Sequence, residues 1–234
     1  MSNNPIRRIR DFADAEANRF EENQGSKIRM SAGQVARYRE FIQVIFERFC
    51  KLHGQWVAHC KTAQDNFTPG TRSPTSLDIE DYHTGYALTV HLHLETETFY
   101  LFAKILLDRS AHFLEFYFGQ ARGLPLDSHD KLAKHLDRYA TQKELDVSTE
   151  LRSLIHASKA RISDYRDYHI SHDKSPYTMR GTLLTGDGKM VMSVHKRQQQ
   201  IDSEDVRDLV AFIDEYLEAI LSFVAMNRCK AASS

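Results

Sequence analysis

Arg161, Arg166, His169 and His172 bring two guanidinium and two imidazole groups together in one short stretch of the chain. An imidazole titrating near neutrality can take or give a proton, and a guanidinium can grip a phosphate through two parallel hydrogen bonds. These two capacities are what metal-free RNA cleavage requires. One group moves a proton at the 2′-hydroxyl or at the leaving 5′-oxygen, while a cation holds the charge that grows on phosphorus. The C-terminal end of a helix suits such a cluster, because its exposed carbonyls favour cationic groups.

The elements that must position this cluster read as helices. Ser31 is a candidate N-cap, after which Val35, Tyr38, Ile42, Ile45, Phe49, Leu52 and Trp56 recur at helical spacing. A loop at Asp65–Ser76 carries Pro69, Gly70 and Pro74. A second long helix is expected from Leu77 to Phe118, with Phe99, Phe102, Leu106, Phe113 and Tyr117 on its stripe. Its first half is ambiguous, since Leu88, Val90, Leu92 and Leu94 alternate with polar residues as a strand would; helical flanks and missing turn residues favour one long helix. Shorter helices are expected at Ser128–Thr141 and at Ser148–Ile170, the latter burying Leu151, Leu154, Ile155, Ser158, Ile162 and Tyr165. Pro176 closes it. Thr182–Leu184 and Met190–Val194 flank Gly186, Asp187 and Gly188 as a small β-hairpin would. Ser203 opens a last helix striped by Val206, Leu209, Val210, Ile213, Leu217, Ile220 and Val224. The expected fold is therefore all-α, a bundle of about five helices with one hairpin inserted before the last. Residues 1–30, polar and weakly periodic, are expected to form a mobile or partly helical extension to a single domain at 31–234.

Composition narrows the function. The chain has 234 residues, 27% of them charged, and a net charge of −1, the make-up of a globular protein. No apolar run exceeds five residues, which argues against a membrane span, and the polar start does not read as a secretory signal. Three cysteines without CxxC spacing suggest neither a disulfide framework nor a zinc ribbon, so a cytoplasmic location is expected. The near-neutral total hides a split: residues 151–200 carry a net +5 and the remainder −6. The cluster at 161–172 lies inside that basic stretch, where a polyanion would bind.

Other constellations carry less. His91 and His93 have ligand spacing on a strand, but on a helix they point about 200° apart. His53, His59, Cys50 and Cys60 match no zinc spacing, and neither a metal nor a cofactor is expected. Gly186, Asp187 and Gly188 lack the strand-to-helix context of a phosphate loop.

Arg166, the polar Asp167 after it, and His172 after five intervening residues resemble the Arg–(four to six residues)–His motif of the HEPN superfamily. The resemblance covers the motif and the helical plan of residues 31–228. It implies a small helical domain, in many members a metal-independent endoribonuclease of toxin–antitoxin or defence systems, with a composite site built by two protomers. It assigns Arg166 and His172 as the catalytic pair and Asp167 as a polar assistant; His169 lies too near Arg166 for the motif. RNA, a second copy of the chain and an antitoxin or regulatory protein are the implied partners. Lys174, Arg180, Lys196 and Arg197 are candidates to hold flanking phosphates. Six residues on an unbroken helix turn Arg166 from His172 by about 120°, so the pair converges only if the helix ends or bends, or if a second protomer completes the site. The alternative is a silent helical module that binds a protein or nucleotide, with Arg166 paired to Asp164, Asp167 or another acid at a solvated helix end.

Overall fold

The computed structural model describes residues 4–66, 76–167, 181–184, 190–194, 199–201 and 203–231. The fold is all-α, and the described residues form six α-helices: α1 (Pro5–Ala17), α2 (Glu22–Asn66), α3 (Ser76–Phe118), α4 (His129–Lys143), α5 (Thr149–Ser158) and α6 (Ser203–Met226). Among the described residues, no helix is long and apolar enough to cross a membrane.

The N-terminal segment, expected as a mobile or partly helical extension, is helical and packs into the domain. Asn4 caps α1 by accepting from the backbone N–H groups of Ile6 and Arg7, with Pro5 in the first turn, where its missing N–H costs nothing. Ile9, Ala13 and Ala17, four residues apart, are buried with the rest of the core. Beside them the buried Glu16 carboxylate accepts from Tyr117 Oη at 2.6 Å, Arg19 at 3.0 Å and Arg228 at 2.6 Å. This node ties α1 to α3 and to the chain's C-terminal end. At Gly25, near the start of α2, a Cβ would lie 2.6 Å from the Ala17 carbonyl oxygen, so only glycine permits this turn.

The expected stripe of α2 is buried at Val35, Ile42, Ile45, Phe49 and Trp56, with Tyr38 and Leu52 packed at its margin. Arg39 joins α2 to α6: its Nε and Nη2 donate to the two carboxylate oxygens of Asp214 at 2.5 and 2.8 Å. The strand-like alternation in the first half of α3 has a helical explanation. Leu92 is buried and Leu88 partly so, whereas Val90 and Leu94 are exposed. His91 and His93 therefore sit on a continuous helix.

Ser128 and Ser148 cap α4 and α5 through side-chain oxygens that accept from Lys131 and Leu151. Of the buried face expected for α5, Leu151, Leu154, Ile155, Ser158 and Ile162 are buried, whereas Tyr165 is only partly so. The helix itself differs. From Lys159 to Asp164 it widens into a π turn, in which each N–H reaches five residues back. Farther on, the backbone of β1 (Gly181–Leu184) pairs antiparallel with β2 (Met190–Val194), which pairs with β3 (Gln199–Ile201). The Gly186, Asp187 and Gly188 turn lies outside the described residues.

Candidate functional site

The π turn is anchored on two sides before the chain reaches Arg166. Ile162 and Ser163 are buried. Tyr165 stacks on Tyr100 of α3, with ring centroids 4.1 Å apart and planes 27° from parallel. Arg161 lies over the Phe212 ring of α6 at 4.5 Å, a favourable cation–π position. Arg166 and Asp167 thus leave a fixed platform.

Their side chains meet each other. Arg166 Nε donates to Asp167 Oδ1 at 2.8 Å, and Nη2 closes a second hydrogen bond to the same oxygen. Both side chains keep partial access to solvent. Adjacent helical residues do not normally face one another, so the long guanidinium has folded back around the helix to reach the acid. This pairing was one of the alternatives open in the sequence. His172, Lys174, Arg180, Lys196 and Arg197 lie outside the described residues, so of the candidate site residues only Arg166 and Asp167 have an observed geometry.

Asp167 also lines an open cleft of about 690 Å3, together with Asp130, Ala133, Lys134, His156, Lys159 and Asp164. Four elements contribute to its wall and floor: α4, α5, the π turn and the helical residues just beyond. Lys159 donates a hydrogen bond to Asp164 and lies 3.6 Å from Asp130; that bond to the Asp164 carboxylate favours the charged ammonium and raises its pKa. Burial pushes the Asp130 carboxyl upward, but hydrogen bonding to Lys104 and the charges of Lys104 and Lys159 outweigh it, and its pKa is lowered.

Lys104 and His129 below the cleft are the residues that sequence reasoning missed. Lys104 is buried and bridges Asp108 at 2.8 Å and Asp130 at 3.1 Å. Its signal was legible, a lone lysine inside an apolar run from Phe99 to Leu107 with an aspartate four residues on. His129, the first residue of α4, is fully buried against Tyr216, with ring centroids 5.6 Å apart. Neither of its ring nitrogens has a hydrogen-bond partner in the structure. Burial, then the charge of Lys104, pushes its pKa down to about 3, so the ring is neutral at ordinary pH. Among the described residues, no three His, Cys, Asp or Glu side chains converge to hold a metal ion.

Chemically, the arrangement supplies a guanidinium on a rigid platform beside a cleft of mixed charge. Lys159 in its wall and Arg166, whose partner Asp167 lines it, are each held by a carboxylate. No family model matches the chain, and no curated protein or solved structure matches it either.

Proposed function

We propose that the protein is a HEPN-like, metal-independent endoribonuclease of a toxin or defence system, working as a homodimer on single-stranded or looped RNA. The observation that carries this reading is the placement of Arg166 on the cleft-lining Asp167, next to the Tyr165–Tyr100 stack and the buried Ile162. In the reaction, a base removes the 2′-hydroxyl proton and O2′ attacks phosphorus. The 5′-oxygen then leaves with a proton from an acid, giving a 2′,3′-cyclic phosphate and a 5′-hydroxyl. His172 takes part in the proton transfer, Arg166 holds the phosphate, and Asp167 positions Arg166. Lys174, Arg180, Lys196 and Arg197 hold neighbouring phosphates. Incubation of the chain with RNA in EDTA is expected to yield fragments with cyclic phosphate ends. Intact RNA, or cleavage only on addition of a divalent metal, would contradict the reading.

The pairing of Arg166 with Asp167 favours a second reading, a silent helical module that binds a protein or nucleotide. The two diverge for Arg166→Ala. If Arg166 holds a phosphate, binding of an uncleavable 2′-deoxy strand is expected to lose about 0.7 from the slope of log affinity against log salt. An unchanged slope, measured by fluorescence anisotropy, would support the silent module.

A further inference from the structure

The cleft that Asp167 lines is elongated, and its two ends differ in charge. His156 and Asp167 both line it and stand eleven residues apart. Helix α5, the π turn and the residues just beyond carry them on one unbroken helical stretch, so they lie ~15 Å apart along its axis. Helix α4 forms the facing wall and runs antiparallel. Arg152 of α5 donates to Asp137 of α4 at 2.7 Å, and Lys159 lies 3.6 Å from Asp130. Between these two crossings, His156 comes opposite Ala133 and Lys134.

The carboxylates of the cleft are each offset by a cation of this chain. Asp167 accepts from Arg166, Asp164 from Lys159, and Asp130 from Lys104 at 3.1 Å. Lys134 and His156 are different. Both are exposed, and among the described residues neither side chain has an ion pair or a hydrogen bond. One end of the cleft therefore carries Arg166 and the other an ammonium with no carboxylate to hold it.

We propose that Lys134 and His156 form a second phosphate subsite, and that one RNA strand lies along the cleft between it and Arg166. The separation is what selects a strand over a lone anion. A span of ~15 Å is about two nucleotide steps of an extended single strand, whose backbone a positively charged groove tracks. The Lys134 ammonium meets that second phosphate as a point charge, and an imidazole N–H of His156 donates to another of its oxygens. The small side chain of Ala133 leaves room on the wall between them for the intervening nucleotides.

The proposal rests on Arg166 meeting phosphate, as in the reading above, but not on cleavage. It is tested by fluorescence anisotropy of an uncleavable 2′-deoxy strand of about eight nucleotides, titrated over a series of salt concentrations. Lys134→Ala is expected to lose about 0.7 from the slope of log affinity against log salt, and Lys134→Ala combined with Arg166→Ala about 1.4, one phosphate for each cation. His156→Ala is expected to weaken binding about tenfold, the loss of a hydrogen bond to a charged group. Lys131, on the same helix but bonded to Asp127 outside the cleft, is the control, and Lys131→Ala is expected to keep the wild-type slope. An unchanged slope in Lys134→Ala, an equal loss in Lys131→Ala, or no binding by the wild type would overturn the subsite. Wild-type affinity in His156→Ala would remove the imidazole from it. Binding with the expected slopes but without cleavage of RNA in EDTA would support the subsite and overturn the ribonuclease reading. Cleavage with an unchanged slope in Lys134→Ala would do the reverse.

Discussion

Asp214→Ala is expected to lower the unfolding free energy by about 3–5 kcal/mol, the usual consequence of stranding a buried charge. Arg39 is only 4% exposed, and both carboxylate oxygens of Asp214 satisfy its guanidinium, with Gln43 taking one further N–H at 3.2 Å. A guanidinium does not lose its proton inside a protein, so without Asp214 the charge stays where it is, desolvated. The converse change is milder. Arg39→Met removes the charge and keeps much of the volume, and the Asp214 side chain, 32% exposed, can rehydrate. Urea unfolding of both variants is expected to rank Asp214→Ala well below Arg39→Met. The reverse order would mean that the pair's worth lies in the arginine's packing.

Acid is expected to destabilise the fold earlier than its carboxylates alone would allow, through His129. In the unfolded chain this imidazole titrates near 6.5, and in the fold its pKa is pushed down to about 3. The unfolded state therefore binds the extra proton throughout this window, and stability falls as pH drops from about 6.5 toward 3. At ~1.4 kcal/mol per pH unit, the loss between pH 6.5 and 4.5 is about 2–3 kcal/mol. Asp130, whose pKa is lowered, acts with the same sign but in a more acidic window, since its stabilisation is lost only as pH falls below the ordinary carboxylate range. His129→Leu is expected to flatten the profile above pH 4.5. It should also leave stability at pH 7 unchanged or raised, because a buried imidazole with no partner gives way to an apolar side chain. An equally steep profile in the variant would assign the acid lability to another group.

Helices whose apolar residues are large and confined to one face were legible in the sequence. The α2 stripe from Val35 to Trp56 and the α5 face from Leu151 to Ile162 are buried as their spacing required. The packing of helix α1 into the core was not legible, because its buried face is made of Ile9 and two alanines around a buried glutamate. Its packing depends on contacts with Tyr117 and Arg228 more than a hundred residues away. In α3 the strand-like alternation arose from a helix that is apolar toward α2 and apolar again on its outer arc, a pattern that local periodicity cannot resolve. The π turn escaped for a different reason. A one-residue widening leaves the positions of Ser158 and Ile162 in the pattern unchanged, and only the hydrogen-bond register reveals it. At the site, the sequence offered Arg166 several acids as partners, and the fold selects Asp167.

The most direct test of the proposed chemistry is single-turnover cleavage of RNA in EDTA by the wild type, Arg166→Ala and His172→Ala, with thermal unfolding of each as a control. The expected result is wild-type cleavage to 2′,3′-cyclic phosphate ends, and a loss of at least ~100-fold in each variant, the usual contribution of a positioned acid–base or charge-stabilising group, with little change in the melting midpoint. Cleavage undiminished in His172→Ala, or no cleavage by the wild type, would contradict it.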